Sequence, residues 1–311
     1  MTDRGENKTD LHQDQIGKPI LDAPEEKIPS ATGGLPVIKI VSIVAALGCF
    51  MIYILRLDQV AGLFVDDGWY ILLAQSLATG HGYTLINSPT PGVLPFYPPA
   101  FPFLLSLLYR LKPDFPNNVW LLKSLSVAAI FAMGFIAYRY FSRERSLPPL
   151  WALGTVVVAV ISPPLVFLAT STVMSECVFT FFTVTAIVMI ERAVRLNADP
   201  RASLRYIGVG SLLTVAAFLT RSIAIGLALA MLLYLAKERM WRALVLFAAI
   251  FVIGVAPWTI YAQRHAPTLE QRQDQGGMMT KSYTEWFWSK RAGVESAGTA
   301  TVADLPQRVV T

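Results

Sequence analysis

The chain has 311 residues, of which 54% are hydrophobic and only 15% carry a charged side chain. A soluble domain carries roughly 25% charged residues, so this composition excludes a water-soluble globular protein. The net charge of +5 comes from short Lys and Arg clusters between apolar blocks, which argues against the continuous basic face of a nucleic-acid-binding protein. The composition predicts an all-α membrane protein that is surrounded by membrane lipids.

The N-terminal segment 1–35 is polar, rich in charge and proline, and lacks the apolar core of a signal peptide. We predict that it is a disordered cytoplasmic tail. Apolar blocks follow that are long enough for membrane-spanning helices, which need about 20 residues. They predict about seven transmembrane helices, at Val37–Leu57, Asn118–Phe141, Pro149–Thr170, Val173–Ile190, Tyr206–Leu219, Ser222–Ala236 and Ala243–Ala262.

The fifth and sixth predicted spans are short, because each would rise only about 22 Å against a hydrocarbon core of about 30 Å. Thr220 and Arg221 separate them. Two arrangements are open on this basis: two short helices that meet at Arg221, or one long helix with a buried arginine.

Loop charge favours one arrangement and orients the chain. The segments 141–147, 191–205 and 237–242 are all basic, and cytoplasmic loops carry the excess of Lys and Arg. All three can lie on one side only if an even number of spans separates each pair, which favours two helices that meet at Arg221. The N-terminus is then cytoplasmic. The extracytoplasmic segments are the loop 58–117, the turns 171–176 and 220–221, and the interfacial tail 266–311.

The long outer loop contains two predicted interfacial helices. The first follows the acidic pair Asp66-Asp67 and shows helical apolar spacing up to Ala78; a helix dipole favours carboxylates at this end. The second begins at the Pro98-Pro99 pair and runs to Leu111, which is too short for a span.

Charged side chains gather at the outer ends of the predicted spans. A charge at membrane depth is costly unless it is paired or hydrated, so each of these residues is a candidate for a functional site. They are Asp66, Asp67, Glu176, Arg221 and Arg264. Lys123, near the outer end of the second span, is interpreted instead as a cation that extends to the membrane interface.

Sequence motifs alternate with the first spans in a fixed order. After the first span come DDGWYILLAQSLATGHGYT and YPPAFPFLLSLLYRL, then a span, a basic loop, another span and STVMSE. This order resembles the membrane core of the GT-C superfamily of glycosyltransferases, and is most similar to bacterial relatives of protein O-mannosyltransferase and of the aminoarabinose transferase. The resemblance predicts a GT-C-like transmembrane domain over 36–265.

The resemblance also implies an activity. GT-C enzymes take a sugar from a polyprenyl phosphate donor and transfer it to an acceptor on the extracytoplasmic side. We therefore expect a multi-pass inner-membrane enzyme that transfers a hexose or pentose, with inversion, to a lipid, glycan or protein acceptor, with its site facing the periplasm or exterior. The acidic motif shared by the family corresponds to Asp66-Asp67, with Asp66 as base, and its second acidic residue corresponds to Glu176.

The chemistry of such a transfer requires these residue types. The acceptor hydroxyl loses a proton as it attacks, and Asp66 can accept that proton. The leaving lipid phosphate gains negative charge, which Arg221 or, as second choice, Arg264 can stabilise. Asp67 and Glu176 can stabilise an oxocarbenium-like sugar. The cofactor is open, because Asp66, Asp67 and Glu176 are also candidate ligands of a divalent metal ion.

The chain departs from the family pattern in two places. Relatives of the aminoarabinose transferase type carry a Lys before the paired prolines, where this chain has Tyr97. Tyr97 thus occupies the place of a phosphate-binding residue. Family members usually continue beyond the seventh span, whereas this sequence stops at Thr311, which predicts a fragment truncated at the C-terminus or a compact variant.

Two other functions are compatible with the pattern. A secondary transporter would use the short helices that meet at Thr220-Arg221 as its substrate site. The sequence shows no internal repeat, however, and its polar residues gather at one end of the spans. The early stop is also compatible with a non-catalytic remnant or an assembly partner.

Overall fold

The structure of the chain is a computed structural model. It describes residues 34–87, 96–266, 288 and 298–304. Almost all of the predicted N-terminal tail 1–35 and most of the predicted outer tail 266–311 lie outside the described residues. The chain divides into two compact units, with the boundary after Val41. The described part of the first unit is the beginning of the first helix, and the second unit, from Ser42 onward, contains every contact discussed below.

The described residues form ten α-helices in the following order. They are α1 (Gly34–Arg56), α2 (Val65–Ala78), α3 (Ala100–Leu111), α4 (Val119–Arg139), α5 (Pro149–Val160), α6 (Pro163–Thr170), α7 (Glu176–Arg195), α8 (Pro200–Thr220), α9 (Ile225–Lys237) and α10 (Trp241–Arg264). A π-helical turn, Tyr140–Glu144, extends α4, and a 3₁₀ turn, Ser222–Ala224, precedes α9.

Five helices are long and apolar enough to cross a membrane, namely α1, α4 with its extension, α7, α8 and α10. α5 and α6 form a sixth candidate as a broken pair that bends by 54°. The predicted all-α, multi-pass membrane fold is confirmed. The predicted number of about seven spans is higher than these five or six, because the segment Ser222–Lys237 forms a shorter apolar helix.

The fifth predicted span was placed too late in the sequence. α8 begins at Pro200 rather than Tyr206, because Asp199 caps it by accepting hydrogen bonds from the backbone N–H groups of Arg201 and Ala202, each at 3.1 Å. Its 21 residues rise about 31 Å, a full span. The helix ends where Arg221 is extended (φ −149°, ψ 124°), which excludes one continuous helix.

The bend between α5 and α6 follows from the Pro163-Pro164 pair. Pro164 has no N–H to donate to the carbonyl of Val160, four residues earlier. The hydroxyl of Tyr53 on α1 donates to that carbonyl instead, at 2.7 Å. α1 thus satisfies the carbonyl that the bend exposes.

The ends of α4 and α7 share a network of ion pairs. Arg192 pairs with Glu144, and Arg145 pairs with Glu191. Arg195 lies between the two acids and donates to Glu191 at 2.8 Å. Two of the three basic segments predicted from loop charge therefore meet at one end of the helical bundle, which we call the basic end.

The other end of the bundle contains the acidic pair. α2 and α3 pack there against the beginnings of α4 and α7, around a core that includes Tyr70, Leu73, Phe101, Leu105, Leu122 and Val173. Both helices predicted in the outer loop are confirmed, although α2 begins at Val65 and so contains the two acids. Since α4 and α7 run from this end to the basic end, the length of a full span separates the acids from the ion-pair network.

Candidate functional site

The acidic pair lies in the first turn of α2, but the two carboxylates have different surroundings. Asp67 is fully buried, and its Oδ2 accepts hydrogen bonds from the backbone N–H groups of Gly62 and Leu63, each at 3.1 Å. Its Oδ1 is buried and has no hydrogen-bond partner among the described residues. Phe64, at the N-cap position, provides no side-chain cap. Asp67 therefore fixes the loop that precedes the helix.

Asp66 is half-buried and faces the segment that precedes α3. Its Oδ1 accepts a hydrogen bond of 2.7 Å from the hydroxyl of Tyr97. The carbonyl of Tyr97 in turn accepts a hydrogen bond of 2.6 Å from the hydroxyl of Tyr83. The residue that the sequence placed as a phosphate contact thus orients the candidate base.

Glu176 and Arg221 form an ion pair on the neighbouring helices. Glu176 is the first residue of α7, and Arg221 occupies the break after α8, so the break brings its guanidinium to the carboxylate. The second carboxylate oxygen of Glu176, Oε2, has no partner among the described residues. About 30% of each side chain is exposed (30% for Arg221 and 27% for Glu176), so solvent or a ligand can reach the pair.

Tyr70 connects the two halves of the site. It follows Asp66 by one helical turn, its hydroxyl shares a hydrogen bond of 3.0 Å with Ser175 Oγ, and its ring meets that of Tyr97 edge to face at 5.2 Å. Arg221 Nη1 also donates to Ser175 Oγ, at 3.4 Å. Burial raises the pKa of the Tyr70 hydroxyl, and so keeps it protonated.

Sequence reasoning missed Tyr70 and Ser175. A signal for each was present, because Tyr70 lies four residues after Asp66 on the same helical face, and Ser175 directly precedes Glu176. Neutral side chains without a family motif carry little functional signal in a single sequence. The structure brings them together with Asp66, Tyr97, Glu176 and Arg221.

Arg264 lies at the C-terminal end of α10 and is exposed. Tyr261, one turn earlier, belongs to the aromatic group that packs against the core of the acidic end. Trp258 on the same helix meets Tyr83 edge to face at 5.3 Å. No ion pair between Arg264 and another described residue is present, so its predicted phosphate contact stays a prediction.

Lys123 was interpreted from the sequence as an interfacial cation, and this was wrong. Its side chain is fully buried, and Nζ lies 2.5 Å from Asp58 Oδ1. Burial opposes ionisation of Asp58, but the hydrogen bonds from Lys123 and the Val60 N–H and the Lys123 charge outweigh it and lower the pKa of Asp58. An ion pair with the partly exposed Asp58, rather than extension to the interface, satisfies this buried cation.

The acids of the site are also potential ligands of a divalent metal ion. In the described ranges, no group of three or more His, Cys, Asp or Glu side chains lies close enough together to hold a metal ion. Asp67 Oδ2 is occupied by backbone N–H groups, and Glu176 Oε1 by Arg221. Within the described part of the chain, these acids therefore do not form a three-ligand group for a divalent metal ion.

An apolar cavity adjoins the site. It has a volume of about 440 Å³ and lies between α2, α3, α8 and α10. Its lining residues are Leu77, Tyr83, Pro99, Ala100, Phe103, Leu219, Trp258 and Tyr261. The chain of hydrogen bonds from Tyr83 through Tyr97 to Asp66 joins this cavity to the acidic pair.

Comparison with known proteins supports the fold. No protein family matches the chain, and no curated protein matches it in sequence. Among solved structures, it is similar to the crystal structure of ArnT from Cupriavidus metallidurans bound to undecaprenyl phosphate, with a TM-score of 0.54 and 16% sequence identity. The match covers 80% of this chain and 45% of that protein, so the chain spans less than half of its length. The GT-C-like fold is confirmed, while a relation to O-mannosyltransferases and a C-terminal truncation stay predictions.

Proposed function

We propose that the chain is a membrane glycosyltransferase that transfers a sugar from a polyprenyl phosphate donor to an acceptor on the extracytoplasmic side. One observation carries the proposal: a half-buried carboxylate, Asp66, held by Tyr97, lies at the same end of a GT-C-like fold as the Arg221–Glu176 pair. This arrangement supplies a base and a cation for the leaving phosphate.

Asp66 is the proposed base. Its surroundings leave it partly accessible, and the hydrogen bond from Tyr97 holds one oxygen in a fixed direction. The acceptor oxygen forms a bond to the anomeric carbon while its proton passes to Asp66. The bond from that carbon to the phosphate oxygen breaks, and its electron pair leaves with the polyprenyl phosphate, which gives inversion in one displacement.

Arg221 is the proposed phosphate-binding residue. In the structure its guanidinium pairs with Glu176 and reaches Ser175. A lipid phosphate can share the guanidinium, since arginine donates hydrogen bonds in a planar fork. Glu176 would then face the positive charge that develops on the sugar ring, while the buried Asp67 supports the loop before α2. Arg264 is a second candidate for the phosphate.

The lipid portion of the donor is supported by the apolar cavity beside Tyr83. In the related fold of ArnT, the bound molecule is undecaprenyl phosphate. A cavity lined by Trp258, Tyr261 and Phe103 offers apolar surface to the first isoprene units, with the phosphate directed toward the site. A sugar bound to a water-soluble nucleotide would gain nothing from such a lining.

Location and domain organisation are part of the same proposal. We place the acidic end on the extracytoplasmic side of the inner membrane, since the basic end carries the positive charge expected of cytoplasmic loops. The segment 1–35 is then a cytoplasmic tail, 36–265 the GT-C-like domain, and 266–311 an extracytoplasmic tail. The acceptor is a lipid, glycan or protein.

The proposal is tested by transfer in proteoliposomes. The purified chain is mixed with radiolabelled hexoses and pentoses on polyprenyl phosphate and with bacterial membranes as acceptor. We expect transfer of at least one sugar, and its reduction by roughly a hundredfold or more in Asp66→Asn, because a positioned base contributes about that factor. The matched control is Asp114→Asn, the same change at an exposed loop acid. Equal transfer by Asp66→Asn, or release of sugar across the vesicle without any product, would overturn the proposal.

A further inference from the structure

Among the described ion pairs outside the proposed catalytic residues, the pair of Lys123 and Asp58 contains the one fully buried cation, while 39% of the Asp58 side chain is exposed. Lys123 has no exposed side-chain surface, and its Nζ donates to Asp58 Oδ1 at 2.5 Å and to the Asp58 carbonyl at 3.1 Å. Burying an ammonium group is costly unless geometry and hydrogen bonds compensate for the lost water. A buried cation near the start of α4 is therefore expected to have a structural or functional role.

Asp58 is a junction between three parts of the chain. Its side chain binds Lys123 on α4, and the Val60 N–H donates to the same oxygen at 3.0 Å. Its own N–H donates to the carbonyl of Thr170, the last residue of α6, at 3.4 Å. Thr170 lies six residues before Glu176, so Asp58 also touches the turn that leads to the second half of the site.

The loop 57–64 is held at both ends. Asp58 attaches its beginning to α4 and α6, and the N–H groups of Gly62 and Leu63 attach its end to Asp67. No side chain of Phe64 caps α2, so the start of the helix depends on these loop contacts. Movement of Asp58 would be transmitted through the loop to Asp66, two residues after the loop ends.

We propose that Lys123 and Asp58 are positioning residues that set the distance between Asp66 and the Glu176–Arg221 pair. The inference rests on the proposed function, because Asp66 is taken there as the base. Both residues act through the loop 57–64, which leads to Asp66, and through the turn after Thr170, which leads to Glu176. Misplacing a reacting group by about 1 Å can cost roughly a hundredfold in rate.

Two variants separate positioning from mere stabilisation. Lys123→Met removes the cation and leaves Asp58, whose side chain is 39% exposed, to water, so we expect a small change in thermal stability together with a kcat that is roughly tenfold to a hundredfold lower. Lys123→Met/Asp58→Asn removes both charges, and kcat should stay low at near-normal stability, because the link from Nζ to Asp58 is still missing. KM for the donor should change by less than about twofold, since the phosphate site is intact. Lys112→Met, the same change before α4, is the matched control.

A measurement without activity distinguishes this inference from the proposed function. Nitroxide labels at the exposed residues Val65 and Ile223 report the separation between the start of α2 and the break after Arg221 by pulsed electron paramagnetic resonance. We expect a shifted or broadened distance distribution in both variants and none in Lys112→Met. Normal kcat and an unchanged distance in the double variant would overturn the positioning role. A changed distance in a chain without transfer activity would instead refute the proposed function alone.

Discussion

Asp66 and Asp67 are neighbours in the chain, but the helix turns them toward different partners. Asp67 has no exposed surface and holds the loop before α2, whereas Asp66 is half-buried and bonded to a tyrosine hydroxyl. A residue that must meet a substrate has to be reachable, and a residue that fixes backbone does not. The proposed roles of base and support follow from this difference.

The hydrogen bond from Tyr97 to Asp66 is testable with Tyr97→Phe. The ring stays in its packing against Tyr70, while one hydrogen bond to a carboxylate is lost, which is worth about 1.5–3 kcal/mol. We expect transfer to fall by roughly tenfold or more, with normal expression and a thermal midpoint lowered by no more than the loss of this one hydrogen bond explains. Tyr138→Phe, on α4 toward the basic end, should have no effect. A Tyr97→Phe enzyme with full activity would show that orientation of Asp66 by Tyr97 is unimportant.

Charged residues of the candidate site could be predicted from the sequence, whereas its neutral residues could not. A charge next to an apolar block is conspicuous, so Asp66, Asp67, Glu176 and Arg221 were identified as candidates. Lys123 shows the limit of that reasoning, because its partner Asp58 is 65 residues away and only the fold brings the two together. Tyr70 and Ser175 are neutral, so no such signal marks them in the sequence.

At the scale of helices, close packing of α8 on α10 depends on Gly254. A methyl group at this position would lie 2.8 Å from both γ-carbons of Val215, whose β-branched side chain cannot turn aside within a helix. Gly254→Ala should therefore lower stability by about 1–3 kcal/mol, which is measured as the thermal midpoint of monodisperse protein in detergent.

Two further variants check that explanation. Gly154→Ala on α5 meets nothing within 4 Å and should be neutral or slightly stabilising. In a Val215→Ala background the γ-carbons are gone, so Gly254→Ala should no longer lower the midpoint. Equal destabilisation in both backgrounds would show that another contact is responsible.

Helix boundaries were harder to predict than helices. The sequence indicated a break at Arg221 through the parity of basic loops, and the structure confirms it. The start of α8 was missed because Arg201 and Arg205 were assigned to a loop, although Asp199-Pro200 is a typical beginning of a helix. Arginines can belong to a helix end that extends to the interface.

At the scale of the whole molecule, the side on which the site lies can be measured directly. Cysteines introduced at His81 and Asn197, which are both exposed, lie near the acidic end and the basic end respectively. We expect a membrane-impermeant maleimide to label the first in intact cells and the second only after permeabilisation. Cys49 and Cys177 are buried and should give little background. The opposite pattern would place the site in the cytoplasm.

The fold class was predictable because composition and block length reflect the bilayer itself. The arrangement of the blocks was not, since the spacing of apolar residues says little about which helices meet. The hydrogen bond between Tyr53 and Val160 joins residues that are 107 positions apart. The hydrogen bonds and ion pairs between the ends of α4 and α7 join residues that are 46 to 51 positions apart. Such contacts are set by the packed bundle as a whole.

The short segment Ser222–Lys237 has a consequence for the bilayer. Its 3₁₀ turn and the 13 residues of α9 rise about 26 Å, several ångströms less than a hydrocarbon core of about 30 Å. Were this segment to cross the bilayer with Lys237 among the head groups, the membrane would have to thin where the segment begins, beside Arg221. Local thinning costs a fraction of a kcal/mol per ångström, and it would bring the head groups of neighbouring lipids down toward the guanidinium. A lipid phosphate could then approach Arg221 sideways from the bilayer, without first leaving it for water.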